Sequence, residues 1–244
     1  MLEFLEPGGI AARGTLIVIP GRGEQPDVYR RFGARISADA YRVHVSIDPM
    51  RDSDHSQREI EETLTRDDTP HPVVIVGSDT GALFAAGLIA GREVADVDGL
   101  ILAGLPQGAD AGEVGSWDDE LEARTTCPTH RGRISGEIVT RGALYDAIPQ
   151  EFLDRADVSA LSVPVLGIHG QQDPISSLAT VRDRYAGVAN VELASVAAAR
   201  HDVLNDQSHR SVAATVILWL ERLKRNGPEL TAIVTPERVE EQVA

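Results

Sequence analysis

Val73-Val74-Ile75-Val76-Gly77-Ser78-Asp79-Thr80-Gly81-Ala82-Leu83-Phe84-Ala85-Ala86-Gly87-Leu88-Ile89-Ala90 is the stretch whose reading decides the fold of this chain. Four β-branched residues in succession, with no polar alternation, mark a strand covered on both faces. The apolar run from Ala82 to Ala90 continues it as a helix. Between them lies a tight turn, with small residues two places before and two places after Asp79 that let strand and helix backbones approach each other closely. A strand, a turn and a helix therefore carry a carboxylate on the turn.

Working outward, short apolar runs alternate with longer segments of helical period. The expected strands are Thr15 to Ile19, Val43 to Ile47, Val73 to Val76, Leu100 to Ala103, Val163 to Ile168 and Val191 to Val196. The expected helices are Asp27 to Ala38, Ser56 to Thr65, Thr80 to Ala90, Ser176 to Tyr185 and His209 to Arg225. This alternation predicts an α/β protein with a doubly wound, mostly parallel sheet. One domain is expected over residues 1–225. A segment at about 105–160, holding Trp117, Cys127, His130, Arg131, Arg133, Arg141 and Tyr145, breaks the alternation and reads as a short lid over the C-terminal strand ends or, alternatively, as a structural helical excursion that covers the sheet and contacts no substrate. The last residues, 226–244, with Gly227-Pro228 and an acidic run, read as a C-terminal extension or as a segment that packs on a partner subunit of a homo-oligomer.

The formal charge of −15 excludes the clustered Lys and Arg that nucleic acids and anionic membranes require, so the expected partner is a small molecule. The single cysteine, Cys127, leaves no internal disulfide. The chain shows no signal-peptide pattern at Met1 to Pro7 and no membrane-span-length apolar run, and a cytoplasmic location is expected. No His-x-x-x-His pair accompanies the lone cysteine, so neither a metal nor another cofactor is expected.

Two later strands are followed by residues that go with Asp79. Val163 to His169 runs into Gly170-Gln171-Gln172-Asp173, and Val191 to Val196 runs into Ala197-Ala198-Ala199-Arg200-His201. Taken singly, Asp173 could cap a helix and His201 could satisfy a loop carbonyl; together they put an acid and then a histidine past consecutive strand ends. Of the remaining polar residues, His44 and His169 read as structural, Asp48 as a loop cap or else a residue facing the pocket, and Asp202 as solvent-facing. A phosphate loop at Gly77 to Gly81 is excluded by the missing Lys-Ser/Thr pair. Ser78 as the central residue would put Val76 and Thr80 where small residues are needed.

In this order and placement the chain resembles the α/β-hydrolases over residues 14–223. Pro164 to Asp173 and Ala199 to Asn205, with the helix bearing Trp219-Leu220, resemble the monoglyceride lipase and lysophospholipase branch, which has serine at the position of Asp79. An aspartate there resembles the haloalkane and haloacetate dehalogenases and the epoxide hydrolases. The resemblance implies Asp79 as nucleophile, Asp173 as orienting acid, His201 as base, and the N–H groups of Arg22 and Thr80 as oxyanion donors. It further implies an alkyl-enzyme ester formed from a small halide or epoxide, with Trp117 and Tyr145 as lid contacts to the substrate. Two departures stand beside it: dehalogenases carry tryptophan where this chain has Thr80, and the short lid offers mainly Tyr145 where epoxide hydrolases use a larger cap. The alternatives are an esterase or lysophospholipase-like hydrolase and a non-catalytic binder of small molecules.

Overall fold

The structure, a computed structural model, describes residues 1–108 and 115–233. The parts of the expected lid and of the C-terminal extension at 109–114 and 234–244 lie outside the described residues. In chain order the strands are β1 (Leu2–Phe4), β2 (Gly14–Ile19), β3 (Tyr41–Val45), β4 (Val73–Ser78), β5 (Gly99–Ala103), β6 (Val165–Gly170) and β7 (Val191–Val196). They form one sheet in the order β1-β3-β2-β4-β5-β6-β7, parallel throughout except for β1, which pairs antiparallel with β3.

The helices are α1 (Arg30–Ala38), α2 (Ser53–Leu64), α3 (Thr80–Ala90), α4 (Trp117–Arg124), α5 (Pro128–Ile134), α6 (Gln150–Arg155), α7 (Leu178–Tyr185) and α8 (His209–Asn226). Strand side chains alternate between two cores. Leu16, Val18, Val74, Val76 and Ile101 pack with Phe32 and Ile36 of α1 and Trp219 and Leu220 of α8. Ile17, Ile19, Ile75, Leu100 and Leu102 pack with Ile60 of α2, most of α3 and Phe152 of α6. Both faces being covered is the physical reason the strands read as unbroken apolar runs.

The expected elements are present with shifted ends. β3 begins at Tyr41 and stops at Val45, because the Ile47 N–H leaves the sheet for the Glu59 carboxylate at 3.1 Å. β6 begins after Pro164, which has no N–H to give, and runs on to Gly170. The three-residue β1 was not expected, being too short for a periodic signal. Between β5 and β6 lie α4, α5 and α6, with Ser116 and Asp119 closing a capping box at the start of α4. Among the described residues no helix is long and apolar enough to cross a membrane.

Candidate active site

β4 delivers Asp79 to the C-terminal edge of the sheet with φ 50° and ψ −122°. For a residue with a side chain that backbone costs about 1–3 kcal/mol, and the surroundings enforce it. A Cβ on Gly77 would lie 2.3 Å from the Gly81 carbonyl oxygen, and one on Gly81 would lie 2.3 Å from the Ile19 carbonyl oxygen. Only glycine at both places lets α3 start this close to β4 and β2. Asp79 N–H bonds the Ala103 carbonyl at 3.0 Å, which ties the turn to β5.

His201 and Asp173 meet Asp79 here. His201 Nδ1 lies 2.8 Å from Asp173 Oδ2, and its Nε2 lies 3.2 Å from Asp79 Oδ1. The other Asp173 oxygen accepts the N–H groups of Ile175 at 2.8 Å and Ser176 at 3.1 Å. One carboxylate thus caps the turn and orients the imidazole. His169 Nε2 bonds the Ser176 carbonyl at 2.7 Å and lies 3.2 Å from Asp173 Oδ2, a structural place as expected for it.

Arg22 reaches Asp79 twice. Its backbone N–H donates to Oδ2 at 3.0 Å. Its side chain, which no local pattern points to Asp79, also folds onto the carboxylate. Nε donates to Oδ2 at 2.8 Å, Nη2 to Oδ1 at 3.0 Å, and Nη1 to the Asp146 carbonyl at 2.8 Å. The Thr80 N–H makes no bond to the Asp79 carboxylate, and Thr80 Oγ1 is buried with no hydrogen-bond partner among the described residues. Trp117 packs under the Arg141 guanidinium at 5.3 Å, and neither it nor Tyr145 hydrogen-bonds Asp79 or His201 among the described residues.

The four groups are nearly sealed from solvent, with Arg22 3 %, Asp79 4 %, His201 1 % and Asp173 8 % exposed. Burial works to push the Asp79 carboxyl up, but the Arg22 guanidinium and His201 outweigh it and hold it well below the ordinary carboxylate range. Burial likewise opposes charge on His201, and the carboxylates of Asp173 and Asp79 overcome it, raising the imidazole to about 10. Asp173, against the same burial, is lowered by His201 and His169. At neutral pH the site therefore holds two cations and two anions.

A cavity of about 250 Å³ opens beside this set, lined by Arg22, Asp48, Met50, Arg51, Thr140 and Asp146 among others. Arg22 lines it, whereas Asp79 and His201 do not, so the cavity meets the ionic set at Arg22. Asp48 accepts N–H bonds from Gly23 and Met50, each at 2.8 Å, the loop-capping place expected for it. Burial outweighs those bonds and pushes its carboxyl up to about 6. Among the described residues no three His, Cys, Asp or Glu side chains gather so as to hold a metal ion.

One expectation is overturned. Asp202 does not face solvent; it is 5 % exposed and points at Arg124, 3.6 Å away, and at His130, 3.3 Å away. Its own N–H is pinned to the Arg124 carbonyl at 2.8 Å, which turns the side chain inward. Glu24, Glu120 and Arg124, all buried, were also missed. The one local signal among them was the Glu120–Arg124 spacing of four, which suits a helical ion pair.

No protein-family model and no curated protein sequence matches the chain. Solved structures do. A soluble variant of the monoglyceride lipase of Saccharomyces cerevisiae superposes with a TM-score of 0.70 at 17% identity, covering 90% of each chain. The monoacylglycerol lipase of Paleococcus ferrophilus gives 0.68 at 16%, covering 90% of this chain and 96% of that one. An esterase from Rhodococcus sp. gives 0.64 at 16%, covering 91% and 98%. At these identities the likeness speaks for the fold: the chain has the α/β-hydrolase fold, in the arrangement found in monoglyceride lipases and esterases.

Proposed function

We propose that this chain is a cofactor-independent hydrolase of the esterase and lipase lineage, cleaving a small ester or thioester with Asp79, His201 and Asp173. The carrying observation is the imidazole of His201 held between two carboxylates, 3.2 Å from Asp79 and 2.8 Å from Asp173. A serine nucleophile needs a neutral histidine to take its proton. A carboxylate has no proton to lose, so a histidine that rests charged is suited to act first as an acid.

In the proposed sequence, Asp79 Oδ1 attacks the acyl carbon and the carbonyl electron pair moves onto oxygen. As the adduct collapses, the bond to the leaving oxygen or sulfur breaks and His201 gives that atom its Nε2 proton. This leaves an acyl anhydride on Asp79 and a neutral imidazole. His201 then removes a proton from water, the hydroxide cleaves the anhydride, and Asp79 is released as carboxylate beside a recharged His201. The acid product gives its remaining proton to solvent. A carboxylate is itself a good leaving group, so the first adduct reverts unless the departing group is weakly basic or promptly protonated. Aryl esters and thioesters meet that condition better than alkyl esters. Arg22 must let go of Oδ1 for attack, and its N–H and guanidinium can then turn to the acyl oxygen, with the Thr80 N–H as the further expected donor.

A second reading has its own observation. Asp79 Oδ2 accepts two bonds from Arg22, and Oδ1 accepts one from Arg22 and one from His201, so both oxygens are fully occupied at rest. On this reading the four charges form an inert lock and the neighbouring cavity binds a small molecule without turnover.

Intact-mass analysis separates the readings. The His201→Phe variant is incubated with aryl esters, acyl thioesters, haloalkanes and epoxides, with Asp79→Asn as control. An acyl adduct mapping to Asp79 from the aryl esters, whose weakly basic leaving group departs without the His201 proton, together with wild-type turnover that Asp79→Asn lowers at least a thousandfold, is the expected result. An alkyl adduct would move the chemistry to saturated carbon, as in dehalogenases and epoxide hydrolases. No adduct and no turnover with any compound would leave the binding reading in possession.

A further inference from the structure

A second buried ionic cluster is built on Arg124, at the C-terminal end of α4, whose side chain is 1% exposed. Its Nε and Nη2 donate to Glu120 Oε1 at 3.1 and 3.0 Å. Nη1 donates to Glu24 Oε1 at 3.0 Å and lies 3.6 Å from Asp202 Oδ1. Nη2 also donates to the backbone carbonyl of Arg22 at 3.0 Å. These partners come from the loop after β2, from α4 itself and from the loop after β7.

The backbone repeats the connection. His201 N–H donates to the Ala123 carbonyl at 3.2 Å, and Asp202 N–H to the Arg124 carbonyl at 2.8 Å. Glu24 extends the hold with its other oxygen, which accepts Gly21 N–H at 3.0 Å and the Tyr29 hydroxyl at 2.5 Å. The Arg22 peptide is therefore gripped on both sides while its N–H points at Asp79 Oδ2. A single helix end thus sets both the residue that faces one Asp79 oxygen and the residue that faces the other. Lysine could supply the charge at position 124 but not a planar fork that bonds three acceptors at once.

We infer that Arg124 is a positioning residue for the Asp79 site: its guanidinium fixes the Arg22 peptide, and its helix end fixes His201. The kinetic part of this inference rests on the hydrolase reading above; the geometric part does not. Both are tested with Arg124→Lys and Glu24→Gln, by residue-resolved amide hydrogen exchange and by kinetics on the aryl ester used above. In each variant the Arg22 amide is expected to exchange at least tenfold faster while the amides of β4 and β5 keep their protection. In parallel kcat falls at least tenfold and KM stays within about twofold.

A merely structural bridge gives a different result. The Gly142 and Leu144 amides, which donate to Glu120, exchange faster and the melting temperature drops, while Arg22 exchange and kcat per folded molecule hold. That outcome overturns the inference. Should Arg124→Lys fail to fold, Glu24→Gln carries the same comparison, because glutamine keeps an oxygen for Gly21 and Tyr29 and sets an NH2 donor, in place of the accepting carboxylate oxygen, against Arg124. Faster Arg22 exchange in the variants with no wild-type turnover supports the positioning role and overturns the hydrolase reading instead.

Discussion

Arg22 belongs to two buried ionic clusters, its side chain to one and its carbonyl to the other, and the two are balanced differently. In the Asp79 cluster, Arg22 and His201 oppose Asp79 and Asp173, cation for anion. In the Arg124 cluster one guanidinium faces Glu24, Glu120 and Asp202, with His130 beside Asp202. Burial, and then the Asp202 carboxylate, push the Glu24 carboxyl up to about 7 against the pull of Arg124. A balanced set can hand a proton across without leaving a net charge in a medium that solvates it poorly. An acid-rich set around a single cation is suited to fastening chain segments together, and its weakness is dependence on that cation.

The largest expected effect breaks the balanced cluster at its orienting acid. Asp173→Asn keeps the shape of the site, removes the main charge that keeps His201 protonated, and allows the imidazole to be held in the wrong tautomer. Turnover of the aryl ester is expected to fall by roughly three to four orders of magnitude. Steady-state kinetics checks this, and a loss below about tenfold would mean that His201 does not move the proton.

Removing each cluster's arginine sharpens the contrast. Arg124→Met leaves three carboxylates buried with no guanidinium, an expected cost of about 3–5 kcal/mol. Arg22→Met leaves Asp79 its partner His201, and about 1–3 kcal/mol is expected. Urea unfolding measures both, and equal losses would show that the two clusters are not balanced as described.

The last expected effect is the dependence of stability on pH. His201 has its folded value raised from 6.5 to about 10, so its contribution is complete below pH 6.5 and is lost as pH rises towards 10. Glu24, raised from 4.5 to about 7 among Arg124, Tyr29 and Asp202, holds its proton more tightly in the folded state, so stability also falls as pH rises from 4.5 through 7. Asp79 and Asp173, both lowered from 3.8, act the other way, and their contribution is lost as pH falls below that value. Thermal unfolding across pH is expected to peak between about pH 4 and 6, and Glu24→Gln is expected to flatten the decline between 4.5 and 7.

The two clusters were unequally legible in the sequence. Asp79, Asp173 and His201 each follow an apolar strand, so the strand pattern alone brought them to one edge of the sheet. The Arg22 backbone could be placed because it follows β2; its side chain could not, since nothing local makes a guanidinium fold back on its own loop. Glu24 and Arg124 are 100 residues apart, and no periodicity connects them. Asp202 faces inward although adjacency to His201 says nothing about which way a residue faces on an irregular loop. A three-residue strand such as β1 carries no periodic signal; α4 has Leu121 and Ala123 as its buried apolar residues and so shows no apolar stripe, and α5 and α6 are shorter still.

The bond from Arg22 N–H to Asp79 Oδ2 has a consequence for inhibition. The Arg22 N–H is already engaged at rest by a carboxylate tethered to the same chain, whose effective concentration there exceeds that of a free small acid. A departing acid product, or a carboxylate added from outside, must displace that tethered competitor to rebind. If Asp79 catalyses ester cleavage, turnover is therefore expected to tolerate accumulated acid product well.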